Sequence, residues 1–290
     1  MSVGTKKIHA FDIFNVILLG IFSLMILYPF IYILAVSLSD KLSIMQNKVY
    51  FLPKGLNVKA YKMVMEDLMF LGAYANSIFY TAAGTAINIA ATALTAYPLS
   101  KKFLKGRRAV LIAIIFTMIF TGGIIPNYIL IKKLGMIDTV WSLILPGAIW
   151  VWNLILMKTF FEESPERMEE SAKIDGGNDF QILWRIVTPV SAPIISTMVL
   201  FYAVGHWNSF FIPLIYLNKP AMYPLQILLR NIVIAGELNV ENPLATGGEV
   251  LLGQSIKYAT IIISIIPMII LYPLIQKYLI KGILVGSIKG

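Results

Sequence analysis

Residues Glu169 to Pro189 read EESAKIDGGNDFQILWRIVTP, a charged, glycine-hinged stretch in a chain that is otherwise almost continuously apolar. It falls between the fourth and fifth long apolar runs. Upstream, Ser164-Pro165-Glu166 makes a good helix start: the serine can cap free amides, proline suits the first helical position and glutamate complements the positive helix end. The helix runs through Met168, Ala172 and Ile174 and stops at Gly176-Gly177, residues able to take a left-handed terminus. Asn178 or Asp179 can cap a second helix carrying Phe180, Ile182, Leu183, Trp184, Ile186 and Val187, which Pro189 closes. Two short helices so joined form a compact knob. Glu162, Glu163, Glu166, Glu169 and Glu170 crowd its first part, which argues against a seat on anionic lipid headgroups. The expected occupant of such a surface is a soluble partner.

Around this knob the composition is that of a membrane protein. Of 290 residues, 58% are hydrophobic and 13% charged, against about 25% charged in soluble domains. The net charge of +9 comes from Lys and Arg at the ends of apolar runs, not from a basic stripe of the kind that binds nucleic acid. With no cysteine and only His9 and His206, thiolate and histidine metal sites are not expected.

A hydrocarbon core needs about 20 mostly apolar residues per helix. Six segments qualify: roughly 14–37, 70–97, 109–131, 140–160, 193–217 and 256–275. They are long and continuous without a two-residue period, so helices are expected, each satisfying its own backbone in lipid. The first is too long for a signal-peptide core and lacks a clear cleavage site, and is read as a retained span. Six spans put both termini on one side. With the termini inside, 14 of the 24 Lys and Arg are inside, and the cluster KKFLKGRR at 101–108 flanks two spans at once. Positive charge marks the cytoplasmic side, so the knob and both termini are expected there. The fold class is all-α integral membrane, six transmembrane helices with a cytoplasmic helical hairpin between spans four and five.

The second span carries Asn76, Ser77, Thr81, Thr85, Asn88, Thr92 and Thr95 with Gly72 and Gly84, a composition for close helix packing or for lining a pathway. Prolines at 29, 98, 126, 146, 213, 267 and 273 lie within or at the ends of spans, where kinks are expected. No full charge sits deep in a span, which argues against a proton-driven carrier. The chain contains no G-x-x-x-x-G-K-[ST] phosphate loop, so it does not supply ATP hydrolysis itself.

The knob resembles the signature of the inner-membrane permease subunits of bacterial ABC importers: E-A-A, three residues, G, nine residues, I-x-L-P. Glu170-Ser171-Ala172, Gly176, Ile186 and Pro189 fall at those spacings. Ser171 stands in place of the first Ala, and Thr188 in place of the Leu, an exchange that removes one apolar contact. Further stretches resemble the carbohydrate-uptake class, on the side of the second, six-span subunit of the maltose-type transporter. They are Phe51-Leu52-Pro53-Lys54-Gly55 with Ala60-Tyr61, Asn76-Ser77, and Trp207-Asn208-Ser209-Phe210-Phe211 with Pro213-Leu214. Gly122 to Pro126, Leu134 to Thr139, and the tail Lys281-Gly282 to Gly286-Ser287 look like the subgroup handling complex oligosaccharides and polysaccharide fragments.

That resemblance implies a single transmembrane permease domain over 1–290, with a core at about 70–280, a coupling hairpin at 162–189 and an external loop at 218–255. It implies a permease subunit of an ATP-driven importer for oligosaccharides or polysaccharide fragments, forming half of the pathway in a bacterial cytoplasmic membrane. Partners would be a second permease subunit, two ATP-binding subunits holding ATP and Mg, and an extracytoplasmic sugar-binding protein. This chain would have no catalytic residue and bind no cofactor or metal. The ATPase-coupling set is Glu169, Glu170, Ser171, Ala172, Asp175, Gly176, Gly177 and Pro189. Candidate pathway residues, chosen for aromatic faces and amides that suit sugars, are Asn76, Tyr80, Tyr202, Trp207, Asn208 and Phe211. Gly236, Glu237, Gly247 and Gly248, in a long external segment, are candidates to meet the binding protein. The alternatives are a simple di- or trisaccharide or polyol as cargo, or, in a different class, a membrane enzyme or channel with a cytoplasmic docking knob.

Overall fold

The computed structural model describes residues 10–163, 166–241 and 247–287. Among these there is no strand. In chain order the helices are α1 (Ala10–Ser37), α2 (Lys41–Met45), α3 (Lys59–Glu66), α4 (Leu68–Ser100), α5 (Arg107–Ile119), α6 (Ile124–Lys133), α7 (Trp141–Ile144), α8 (Val151–Glu162) and α9 (Glu166–Ile174). They continue with α10 (Asp179–Ile182), α11 (Thr188–Val190), α12 (Ala192–Trp207), α13 (Phe211–Tyr216), α14 (Leu225–Glu241) and α15 (Gly247–Ser287). A π-helical turn, Leu183–Val187, joins α10 to α11, and a 3₁₀ turn, Leu145–Gly147, follows α7.

Among the described residues, three helices are long and apolar enough to cross a bilayer unaided: α1, α4 and the Gln254–Pro273 part of α15. Three more crossings require a bent pair to count as one span, with bends of 113° between α5 and α6, 54° between α7 and α8, and 88° between the 179–190 segment and α12. The sequence reads the third to fifth apolar runs as continuous helices, and the backbone corrects this. Phe120 is extended and Gly123 has φ +80°, a left-handed value open to glycine. Pro146 removes a helix donor and Trp150 is extended. The fifth run, expected to reach Leu217, stops at Trp207 and resumes as α13.

The chain divides into two compact units, 1–68 with 229–265, and 69–228 with 266–290. In the first, none of the apolar window of α1 is buried, so its side chains find their favourable surroundings in lipid. A small cluster of Ala35, Val36, Ile44 and Val49, flanked by Tyr32 and Tyr258, anchors the loop after it. Asp40 caps α2 by accepting from the Ser43 amide at 2.9 Å, and hydrogen bonding from Ser43 holds its carboxyl below the usual range. Ser37 and Tyr61 hydroxyls meet at 2.7 Å.

The second unit has its core where α4, α8 and α12 meet the segment after α9. Ala93, Ala96, Tyr97 and Leu99 from α4 pack with Leu154, Met157 and Phe161 from α8, Met198 and Tyr202 from α12, and Ile182, Leu183 and Val187. Alanines at 93 and 96, fully buried, let the helices approach closely. Burying Ile182, Leu183 and Val187 contributes at most roughly 1.5–3 kcal/mol each. The polar hairpin is thereby welded to the apolar helices around it.

Candidate functional site

Local chemistry builds the hairpin. α9 ends before Gly176, whose φ of +86° is left-handed. Gly177 follows with its amide on the Ala172 carbonyl at 2.8 Å, and any Cβ at Gly177 would stand 2.8 Å from that same oxygen. Asn178 then opens the next helix with a capping box: its side chain accepts from the Gln181 amide at 2.8 Å, and the Gln181 side chain accepts from the Asn178 amide at 3.1 Å. Lys173 pairs with Asp179 across the hinge at 3.0 Å. Ser164 and Pro165, the expected helix start, lie outside the described residues.

The predicted coupling residues divide between two faces. Glu170, Ser171, Asp175, Gly176 and Pro189 are exposed, Ala172 and Gly177 half-buried. Glu169 turns inward and is only 5% exposed. Its Oε2 accepts from the Tyr97 hydroxyl at 3.0 Å and pairs with Lys101 Nζ, which also lies 4.6 Å from the Tyr97 ring centre. Beside it Arg107 pairs with Glu162, donates from Nε to the Leu99 carbonyl at 2.7 Å, and Lys158 donates to Glu162 at 2.8 Å. Two clasps thus tie α8 and α9 to the end of α4 and the start of α5. Sequence reasoning placed Glu169 in the set but missed Tyr97, Lys101 and Arg107. The only available hint was the basic run 101–108 opposite an acidic one at 162–170. At Thr188, where the family signature has Leu, the hydroxyl is buried without a partner among the described residues.

The predicted pathway residues do not converge. Asn76 donates to the Ala221 and Tyr223 carbonyls at 2.8 and 3.2 Å, and Tyr80 to the Met222 carbonyl at 2.9 Å, so both hold the turn before α14. Tyr202 is fully buried, sharing a hydrogen bond with Thr92 at 2.7 Å and accepting from the Trp150 amide at 3.2 Å. Trp207 is buried edge-on to Tyr74, with ring centres 5.8 Å apart. Asn208 caps α12, donating to the Val204 carbonyl at 3.0 Å. Asn208 and Phe211 are the two exposed members.

A cavity in the second unit is lined instead by residues that include Asn127, Trp150, His206, Ser209 and Tyr216. Its wall is seated on two glycines inside helices. A Cβ at Gly84 would stand 2.5 Å from the His206 ring, and one at Gly205 would run into the Trp150 ring. Each glycine costs about 1 kcal/mol of helix propensity relative to alanine, and the gain is two fixed rings. Asn88 Nδ2 donates to the Gly147 carbonyl at 2.7 Å, so its Oδ1 faces His206 Nε2 at 3.1 Å and accepts from it. Sequence reasoning saw Gly84 and Asn88 as small or polar residues of the second span, and nothing in the local pattern tied them to His206.

The segment 218–255, expected to be an external loop, is largely helical among its described residues. Gly236 and Glu237 fall inside α14, and Gly247 and Gly248 open α15. Asp138, with φ +58°, holds the Asn218 end: it accepts from the Asn218 side chain at 3.3 Å, and its amide donates to the Tyr216 carbonyl at 3.0 Å. Hydrogen bonds from Asn218 hold the Asp138 carboxyl below the usual range.

Residues 103–285 match the family described as "Binding-protein-dependent transport system inner membrane component". The chain is similar to "Protein LplC" of Bacillus subtilis, 43% identical over 99% of this chain and 97% of that protein. It is also similar to the "Polygalacturonan/rhamnogalacturonan transport system permease protein YtcP" of the same organism, 39% identical over 98% of this chain and all of that one. Among solved structures, a chain of a bacterial ABC transporter involved in the import of the acidic polysaccharide alginate matches with a TM-score of 0.84 and 36% identity, covering 94% of this chain and 99% of that one.

Proposed function

The chain belongs to the family of binding-protein-dependent transport system inner membrane components, and from that premise we propose that it forms half of the pathway of an ATP-driven importer for oligosaccharides or polysaccharide fragments. It is a permease subunit, a component of a transporter. Its six crossings comprise the three unbroken apolar helices, the bent pairs α5–α6 and α7–α8, and α12, whose 88° bend from the 179–190 segment is where the chain leaves the hairpin and enters the bilayer. Both termini and the hairpin at 162–189 face the cytoplasm, and residues 1–290 act as one permease domain. A second permease completes the pathway, two ATP-binding subunits hold ATP and Mg beneath it, and an extracytoplasmic sugar-binding protein delivers cargo. In this reading Gly236, Glu237, Gly247 and Gly248 lie on the side facing that binding protein.

One observation carries the coupling role: α9 has an inner face clasped to the spans and an outer face left open. Met168, Ile174 and Phe180 are 47, 86 and 63% exposed beside the exposed Glu170. On a polar hairpin outside the bilayer, such apolar side chains are favourably covered by a protein. Motion of the ATP-binding subunits would then push on Ile174, Phe180 and Glu170. The hairpin transmits this push rigidly, because Glu169, Lys101 and Tyr97 fix α9 to α4 while Ile182, Leu183 and Val187 fix the second half to α8 and α12.

Glu170→Lys reverses a charge on the exposed face and touches no partner in this chain's core. In the reconstituted complex, sugar uptake is expected to fall at least about tenfold, the effect of more than about 1.4 kcal/mol of lost coupling, with membrane insertion unchanged. ATP hydrolysis should persist without uptake. Normal uptake by a well-inserted Glu170→Lys variant removes the coupling assignment.

A further inference from the structure

The cavity between α6, α7 and α12 is about 570 Å³, within the size range of small-molecule sites. Among the described residues that line it, none is Lys, Arg, Asp or Glu. Its polar side-chain groups are neutral: the Asn127 amide, the Ser209 and Tyr216 hydroxyls, the Trp150 indole N–H and the His206 imidazole. Leu130, Ile131, Leu143, Ile212 and the Trp150 ring supply the apolar remainder.

The hydrogen-bond network assigns the imidazole its role. Asn88 donates one amide hydrogen to the Gly147 carbonyl, which orients the amide so that its oxygen faces His206 and makes Nε2 the protonated nitrogen. In the neutral ring Nδ1 is then an acceptor, and it makes no hydrogen bond among the described residues. The ring cannot swing away, because it is seated against Gly84 at less than a methyl group's distance. Trp150 is fixed in the same way over Gly205. The result is a rigid aromatic wall beside a hydrogen-bond acceptor and a hydroxyl, a combination suited to the C–H face and the hydroxyls of a pyranose ring.

We propose that this cavity seats one or two neutral glycosyl units of the transported saccharide, with His206 accepting from a sugar hydroxyl and Trp150 covering a sugar face. A uronate is disfavoured there, because its carboxylate would leave water without a cation to pair with. The seat therefore selects neutral stretches of a chain, whatever charge the rest of the polymer carries. This rests on the saccharide-permease reading above, and the test separates the two.

The whole importer, with its second permease, ATP-binding subunits and binding protein, is reconstituted in liposomes. Uptake is measured for partial hydrolysates of a neutral galactan and of polygalacturonan, matched in length. Comparing each variant with the parent as a ratio of the two uptakes cancels the binding protein's own preference. Ser209→Lys, at a half-exposed position after α12, places a cation in the cavity. It is expected to shift the ratio about tenfold toward the uronate chains. His206→Gln is expected to raise the KM for the neutral chains by about tenfold while leaving that for uronate chains within about twofold. Robust uptake with a ratio that neither variant moves overturns the seat and leaves the permease reading standing. Uptake of neither saccharide by an importer that hydrolyses ATP in the presence of its binding protein overturns both.

Discussion

Two regions of the second unit, the hairpin and the cavity, solve one problem, fixing side chains inside apolar surroundings, in opposite ways. At the hairpin the fixing is ionic: Glu169 with Lys101 and Tyr97, and Glu162 with Arg107 and Lys158. At the cavity it is steric and neutral: glycines under His206 and Trp150, and an amide chain through Asn88. In the coupling and binding roles proposed above, the difference follows from what each region would have to do. A clasp that has to hold against an applied push gains from charge, since breaking it strands an ion away from water. A binding surface gains from neutrality, since a fixed charge would bind one class of ligand too strongly and exclude the rest.

The sharpest way to break this contrast is at the clasp. Lys101→Ala leaves the Glu169 carboxylate, with only 7% of its side chain exposed, without its cation, and a cost of about 3–5 kcal/mol is expected. The double variant Lys101→Met with Glu169→Leu removes both charges and should recover most of that stability, because an apolar pair of similar volume fits the surroundings at least as well. Thermal unfolding of the purified protein in detergent measures the first effect. Uptake by the double variant, set beside its stability, asks whether stiffness alone or charge is needed. If Lys101→Ala is no less stable than the parent, the clasp is not holding α9 and the contrast fails at its stronger end.

In stability the cavity should respond less than the clasp, and to a change of size. Gly205→Ala drives a methyl group into the Trp150 ring, an overpacking expected to cost about 1–3 kcal/mol, where alanine in an open helix position would add about 1 kcal/mol of stability. The sign alone decides the matter. Tryptophan fluorescence should also shift as Trp150 is displaced, and an unchanged spectrum with raised stability would show that the ring is not seated there.

How much of this was readable in the chain depends on the range of the interaction. Asn178, Gln181, Gly176 and Gly177 act within a few residues, and their caps and hinge are visible as residue types at fixed spacing. The helical class follows from apolar length alone. The breaks near Gly123 and Trp150 are less visible, because the apolar run continues across them and hydropathy averages over a backbone that has turned. Glu169 meets Tyr97 and Lys101 across about 70 residues of chain, and His206 meets Asn88 across more than a hundred. No periodicity encodes such pairings. The same limit explains the candidate pathway residues: Tyr202 and Trp207 have the composition of a sugar site, but long-range packing commits them to the core.

The smallest expected effect lies at the edge of the cavity and depends on pH. Asp138 lies two residues beyond the lining residue Met136, and its amide donates to the carbonyl of the lining residue Tyr216. Its carboxylate accepts from Asn218. Those hydrogen bonds favour the ionised form, so the folded carboxyl titrates below its ordinary value of 3.8. A depressed folded value contributes stability that is fully present above the unfolded value and lost as pH falls through the folded one. Between neutrality and the ordinary carboxylate value this contribution is therefore flat, and it declines only in more acid solution. Asp138 is solvent-accessible, which keeps the effect small. Hydrogen exchange at the Asn218 amide should accelerate below that pH relative to amides in the α4–α8 core, once the intrinsic pH dependence of exchange is divided out. Asp138→Asn should remove the pH-dependent part of that difference while keeping a side-chain oxygen to accept from the amide. An Asn218 amide whose protection falls with acid equally in the parent and in Asp138→Asn would show that some other group governs this edge.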